Sequence, residues 1–254
     1  MSLMTVTSDE ASNIYAFEAG TGILRYYRDQ ARDGTSDWAF GGQGQEIGSG
    51  WESIRHAFSG GEGVIYAIRP DGALLYYRDR ARDGTSNWAH RGQGQAIGSG
   101  WDSFTHVFSG GDGIIYGIRP DGALLFYRDR ARDGTSDWAH GGQGQAIGSG
   151  WDSFTTAFSG GDGVIYGIRP DGALLFYRDR ARDGTSNWAH GGQGQAIGSG
   201  WDSFTHVFGA DDGVIYAIRP NGEMLFYRDE ARDGTSGWAH GGQGQVIGSG
   251  WDMA

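Results

Sequence analysis

The 254-residue chain contains no cysteine, which excludes disulfides and thiolate zinc sites. Proline occurs only four times. No stretch approaches the roughly 18 apolar residues of a membrane-spanning helix. Positive charge is also scarce: 20 basic residues face 31 acidic ones, a net charge of −11. A nucleic-acid partner needs a basic surface to displace counterions, and an anionic membrane needs one to attract it. Neither a nucleic-acid partner nor membrane insertion is expected. The opening "MSLMTVTSDE" lacks the basic and long apolar regions of a signal peptide. The reading at this level is therefore a chain cytosolic at synthesis.

Glycine and aromatics fill the space left by what is missing. The chain has 49 Gly, ten Trp, twelve Tyr and twelve Phe. Glycine without a three-residue period is not collagen, and this aromatic share does not fit a disordered linker. Many short strands joined by turns fit better.

The sequence repeats every fifty residues. "IGSGWDSFTHVFSGGDG" begins at Ile97, and close copies begin at Ile147 and Ile197. Residues 101–150 and 151–200 differ only at His106/Thr156, Val107/Ala157, Ile114/Val164 and Asp137/Asn187. Such near-identity means very recent duplication or design. The five repeats run over 1–50, 51–100, 101–150, 151–200 and 201–250, within one domain of residues 1–254. Residues 251–254 match a repeat opening and would close onto the N-terminal strand.

Each repeat reads as four strands. In the third, these are residues 103–108, 114–119, 123–129 and 145–150. The turn "RPDG" separates the second from the third. Pro presets φ there and Gly accepts a left-handed backbone. A long polar loop, "RARDGTSDWAHGGQG", separates the third from the fourth. No window of 10–12 residues keeps a helical period, and β-branched and aromatic residues bounded by Gly dominate. Five units of four short strands point to an all-β, five-bladed β-propeller with antiparallel blades. The first repeat diverges: "NIYAFEAGTGILRYY" has one turn residue more than "GVIYAIRPDGALLYY" and lacks the Pro.

The motifs "GDGVIYGIRPDGALLFYRD", "DGTSNWA" and "IGSGWDSF" resemble the tachylectin-2 family of five-bladed propeller lectins. Blades of that family carry an "LYAV"-like strand, a "DNW"-like triplet and an "IG-x-GGW-x-x-F" segment. The resemblance covers essentially the whole chain. It implies binding of N-acetylglucosamine or N-acetylgalactosamine near the junctions of adjacent blades, about one site per repeat. The loop before the first Trp is longer here, and "AHGGQGQAIG" replaces a more basic segment.

Sugar recognition needs an aromatic face for the pyranose ring and planar polar groups for its hydroxyls or acetamide. Each long loop offers such a kit: Asp37 and Trp38, Asn87 and Trp88, Asp137 and Trp138, Asn187 and Trp188. The fifth has Gly237 before Trp238. His90, His140, His190 and His240 follow two residues after the Trp, where the first repeat has Phe40. They are candidates for a ligand hydrogen bond or for loop packing. The loop Trp is a ligand contact or a loop anchor, and Asp or Asn before it contacts sugar or caps a turn. The Trp fall in pairs, Trp38/Trp51, Trp88/Trp101, Trp138/Trp151, Trp188/Trp201 and Trp238/Trp251, and the second of each pair follows Gly-Ser-Gly and reads as a wedge between blades at a strand start. His56, His106 and His206 sit mid-strand, and Thr156 replaces them once, so they read as structural. No metal and no cofactor is expected.

Catalysis needs one asymmetric constellation, whereas near-identical repeats offer the same groups five times over. That arrangement suits multivalent binding. The expectation is a non-catalytic, monomeric lectin for glycans bearing N-acetylated amino sugars, reaching surface glycans by leaderless release. The alternative is a protein-interaction or engineered scaffold with residual or no sugar binding.

Overall fold

The computed structural model describes residues 2–253 as five sheets set around an axis, an all-β five-bladed propeller. In blade 1 the strands are Ser2–Ser8, Asn13–Glu18, Leu24–Arg28 and Gln45–Gly48. In blade 3 they are His106–Gly111, Ile114–Ile118, Leu124–Arg128 and Gln145–Gly148. The other three blades repeat this up-and-down order, each as a sheet of four strands. Blade 1 gains a fifth, because Asp252–Met253 pairs in parallel with Ser2 and Leu3.

The second strand of every blade is buried along its whole length. Both of its faces are covered, which is why "IIYGI" reads as a continuous apolar run rather than an alternation. The core is accordingly not one mass but five layers, one per junction. Between blades 3 and 4, Phe108, Tyr116, Phe126 and Trp151 meet Phe154, Ile165 and Leu175. The layer joining blades 5 and 1 brings Val6, Ile14 and Tyr27 against Tyr216, Phe226 and Trp251. Each blade therefore depends on its neighbours for burial, as repeat architectures do.

The turn between the second and third strands follows from its residues. Gly122 donates to the Arg119 carbonyl at 2.9 Å, Ala123 to Asp121 Oδ1 at 3.1 Å, and Gly122 itself sits at φ +82°. One expectation changes. The first strand of blade 3 begins at His106, and Trp101–Ser103 forms a 3-10 turn instead of a strand start. The reason is distance: residues between the outermost strand of one blade and the innermost strand of the next must run across the ring. Trp101 is pinned at the start of that crossing by its N–H, 3.0 Å from the Gly72 carbonyl.

An up-and-down meander sends its connections to alternating ends. The first hairpins and the long loops share one face of the ring. The Pro-Asp-Gly turns and the blade-to-blade links share the other. On the long-loop face, blades are tied by buried polar groups. Tyr216, Tyr66, Tyr116 and Tyr166 donate to Asp29, Asp129, Asp179 and Asp229 of the following blade at 2.8–2.9 Å. Tyr15 reaches Asp79 at 3.3 Å. The same carboxylates accept backbone N–H groups of Arg32, Arg82, Arg132, Arg182 and Arg232. The side chains of Arg132, Arg182 and Arg232 reach back to carbonyls in the hairpin of the preceding blade.

Candidate functional site

Two concavities stand out among the described residues. The first is axial, about 610 Å³, lined by the innermost strands. Its lining carries His56, His106, Thr156 and His206 at equivalent positions of four blades, with Thr5 in the first. His56 donates from Nε2 to the Val107 carbonyl at 2.8 Å, His106 to that of Thr155 at 3.0 Å, and His206 to that of Val6 at 2.7 Å. These histidines stitch neighbouring strands together. Burial holds His56 and His206 below the usual histidine pKa. At the long-loop mouth of the channel, burial and the nearby Glu10 raise Asp9 and Asp211 to about 6. Among the described residues, no three His, Asp or Glu are placed to hold a metal.

The second concavity lies at a blade junction. Between blades 4 and 5 it measures about 410 Å³. The link after blade 4 supplies Ser199, Gly200, Trp201, Ser203 and Phe204, and blade 5 supplies Arg219, Tyr227 and Trp238. Trp201 and Trp238 lie 5.9 Å apart with ring planes 31° from parallel, and Tyr227 packs on Trp201 at 4.8 Å. Gly198 is required here, because a Cβ would fall 2.7 Å from the Trp201 indole nitrogen. Trp238 donates its own indole N–H to the Ile197 carbonyl at 2.9 Å.

The same constellation recurs around the ring. Trp51 meets Trp88 at 6.2 Å; Trp101 with Trp138, Trp151 with Trp188, and Trp251 with Trp38 each meet at 5.9 Å. Trp88, Trp138, Trp188 and Trp38 donate to the carbonyls of Ile47, Ile97, Ile147 and Ile247 at 2.6–2.7 Å. The partners in space are therefore not the two Trp nearest in sequence, such as Trp88 and Trp101. A Trp ending one blade pairs with the loop Trp of the next. The loop Trp are half-buried and anchored, and Trp238 is part of the cavity wall.

The other sequence candidates stand elsewhere. Asp37, Asn87, Asp137 and Asn187 are exposed, and their backbone carbonyls receive the N–H of Gln30, Arg80, Arg130 and Arg180. Gly237, at that position in blade 5, is not among the residues lining the blade 4–5 cavity. His90, His140, His190 and His240 are exposed and donate from Nε2 to the carbonyls of Asp133, Asp183, Asp233 and Asp33 in the following blade, at 2.7–3.0 Å. Phe40 cannot make this bond; its ring lies against Gly84 and is 53% exposed. The arginine of the cavity wall was not singled out from the sequence. Its signal is the Arg before each Pro-Asp-Gly or Pro-Asn-Gly turn: Arg69, Arg119, Arg169 and Arg219.

A family model described as Tachylectin matches residues 18–254. No curated protein matches. Among solved structures, a symmetrical protein of de novo evolutionary emergence superposes with a TM-score of 0.64 at 22% identity, covering 95% of each chain. A calcium-binding protein, regucalcin, from Agrobacterium tumefaciens gives a TM-score of 0.49 at 11% identity, over 90% of this chain and 71% of its own.

Proposed function

The chain belongs to the tachylectin family, and from that premise we propose that it is a multivalent lectin for N-acetylated amino sugars, acting as a monomer with its sites at the blade junctions. The carrying observation is the cavity between blades 4 and 5. Two indoles and a phenol wall it, and serine hydroxyls, glycine backbone and one guanidinium edge it. An aromatic wall covers the apolar face of a pyranose, and the polar edge takes its oxygens. No carboxylate and no histidine stands among the lining residues, so the site offers no acid–base pair for glycoside cleavage. In this reading the loop Trp (Trp38, Trp88, Trp138, Trp188, Trp238) contact sugar. Asp37, Asn87, Asp137 and Asn187 shape the loop, and His90, His140, His190 and His240 hold neighbouring blades.

Weak sites set around one ring gain avidity on a surface that displays many copies of the sugar. Calorimetric titration with N-acetylglucosamine and N-acetylgalactosamine, with glucose as control, tests the reading. Saturable heat with an acetamido sugar, together with agglutination that the free sugar inhibits, supports it. Absence of heat with every sugar removes the lectin assignment and leaves a scaffold.

A further inference from the structure

We propose that the five junctions are not equivalent: Arg69, Arg119, Arg169 and Arg219 select the ligand at four of them, and the junction that closes the ring, between blades 5 and 1, does not bind. The inference rests on the junction reading above and specifies its chemistry.

The argument starts from the blade 4–5 cavity, where Arg219 is the one charged side chain in the wall. It is held from below by the turn that follows it. Arg219 Nη1 donates to Glu223 Oε2 at 2.9 Å. In blade 3, Arg119 grips Asp121 through Nε at 3.2 Å and Nη2 at 2.7 Å. In blade 2, Arg69 pairs with Asp71 in the same way. A guanidinium has five N–H donors in a fixed plane, and a carboxylate takes two at most in this geometry. The remaining donors stay available on a side chain about half exposed, 44–46% for Arg69, Arg119 and Arg219. The carboxylate orients the fork and cancels its net charge. The clamp therefore suits a neutral acceptor, such as the acetamide carbonyl or a ring hydroxyl, more than an anionic sugar.

Blade 1 breaks the pattern at the same place. Its second strand pairs Phe17 with Leu24 where blade 2 pairs Ile68 with Leu74, so Glu18 stands where Arg69 stands. Arg25 in turn replaces Leu75. Glu18 is 8% exposed, and both its oxygens are used: Oε2 accepts from Thr21 at 2.8 Å, and Oε1 accepts from Arg25. An ionised carboxylate donates nothing. The closing junction thus keeps its aromatic pair, Trp251 and Trp38, but presents a satisfied acceptor where the other junctions present free donors. A ligand oxygen placed there would face carboxylate oxygens instead of N–H donors and lose its partner.

The test is the number of sites from calorimetric titration with N-acetylglucosamine. The expected values are four for the wild type and three for Arg219→Ala, with the affinity of the remaining sites unchanged. The double variant Glu18→Arg/Arg25→Leu, which copies blade 2, should restore a fifth site. Arg119→Ala should repeat the loss of one site, and because Arg119 and Arg219 are exposed, their melting curves should stay at wild type. Five equal sites in the wild type, or an unchanged count in both Arg variants, would overturn this inference and leave the lectin reading standing. Absence of binding to any sugar would instead remove the lectin reading itself.

Discussion

On the long-loop face, each blade grips the next through hydrogen bonds between buried or anchored groups: Tyr66 to Asp129, His140 to the Asp183 carbonyl, Arg132 to the Gly60 carbonyl. On the short-turn face, the neighbours meet through stacked aromatics, Trp101 on Tyr127 and Trp138, with a cavity between the blade-to-blade link and the turn at the one junction whose cavity is described above. The same fifty residues build both. The first face spends its polar groups on the ring itself, so little remains to recognise a ligand. The second face is held by aromatic contact and one indole-to-carbonyl bond per junction, which leaves guanidinium donors unspent. Cohesion and recognition are thereby separated onto two ends of one repeat.

The comparison breaks most visibly at the blade-ending tryptophans. Trp151, 4% exposed, touches Phe154, Tyr177 and Trp188. Trp151→Ala should cost about 3–5 kcal/mol and lower the melting temperature of the whole ring, read by calorimetry. If melting stays at the wild-type value, the short-turn face is not held by its aromatics. The corresponding change on the other face is smaller. Asp129→Ala leaves the Tyr66 hydroxyl and the Arg132 N–H without partners, an expected loss of roughly 1–3 kcal/mol. Asp129→Asn keeps an acceptor and should recover most of it in the same denaturation experiment.

Protonation sharpens the contrast, because the long-loop mouth holds the acids with raised pKa. Asp211 is raised to about 6, chiefly by burial. Folding favours its protonated form, so this part of the stability is complete below about pH 4 and is lost as the pH rises through about 6. Asp211→Asn should therefore be the more stable protein at neutral pH, by up to about 3 kcal/mol. The difference should shrink steadily as the pH falls toward 4. His56 and His206 act with the opposite sign, since their lowered pKa removes stability as the pH falls below the usual histidine value. They are common to both proteins and cancel in the comparison. A gap independent of pH would show that Asp211 does not titrate in this range.

The smallest effect should come from the loop histidines. His140→Phe copies the natural Phe40 and removes one exposed bond to the Asp183 carbonyl. The expected loss is about 0.5–1 kcal/mol, with sugar stoichiometry unchanged. Loss of a binding site in His140→Phe would move the histidine from holding the ring to holding the ligand.

The sequence by itself determined the number of blades, the order of strands and the turns between them. These are local matters: a fifty-residue period, apolar runs of strand length, and Pro-Asp-Gly where φ must change. It also determined that Trp101 and its equivalents lie between blades, since a Trp after Gly-Ser-Gly beside an apolar strand has little else to do. Only the tertiary structure decided which tryptophans face each other. Trp101 is thirteen residues from Trp88 and thirty-seven from Trp138, yet it packs on the second. The link must cross from the rim of one blade to the axis of the next, and so it hands its Trp to the following loop. The same geometry set His90 against the next blade and Arg219 in a junction cavity, where sequence spacing weighed the His for a sugar and passed over the Arg. Spacing along a chain reports which residues share a strand. Which residues share a cavity depends on the neighbouring blade, and in this ring every junction is shared by two.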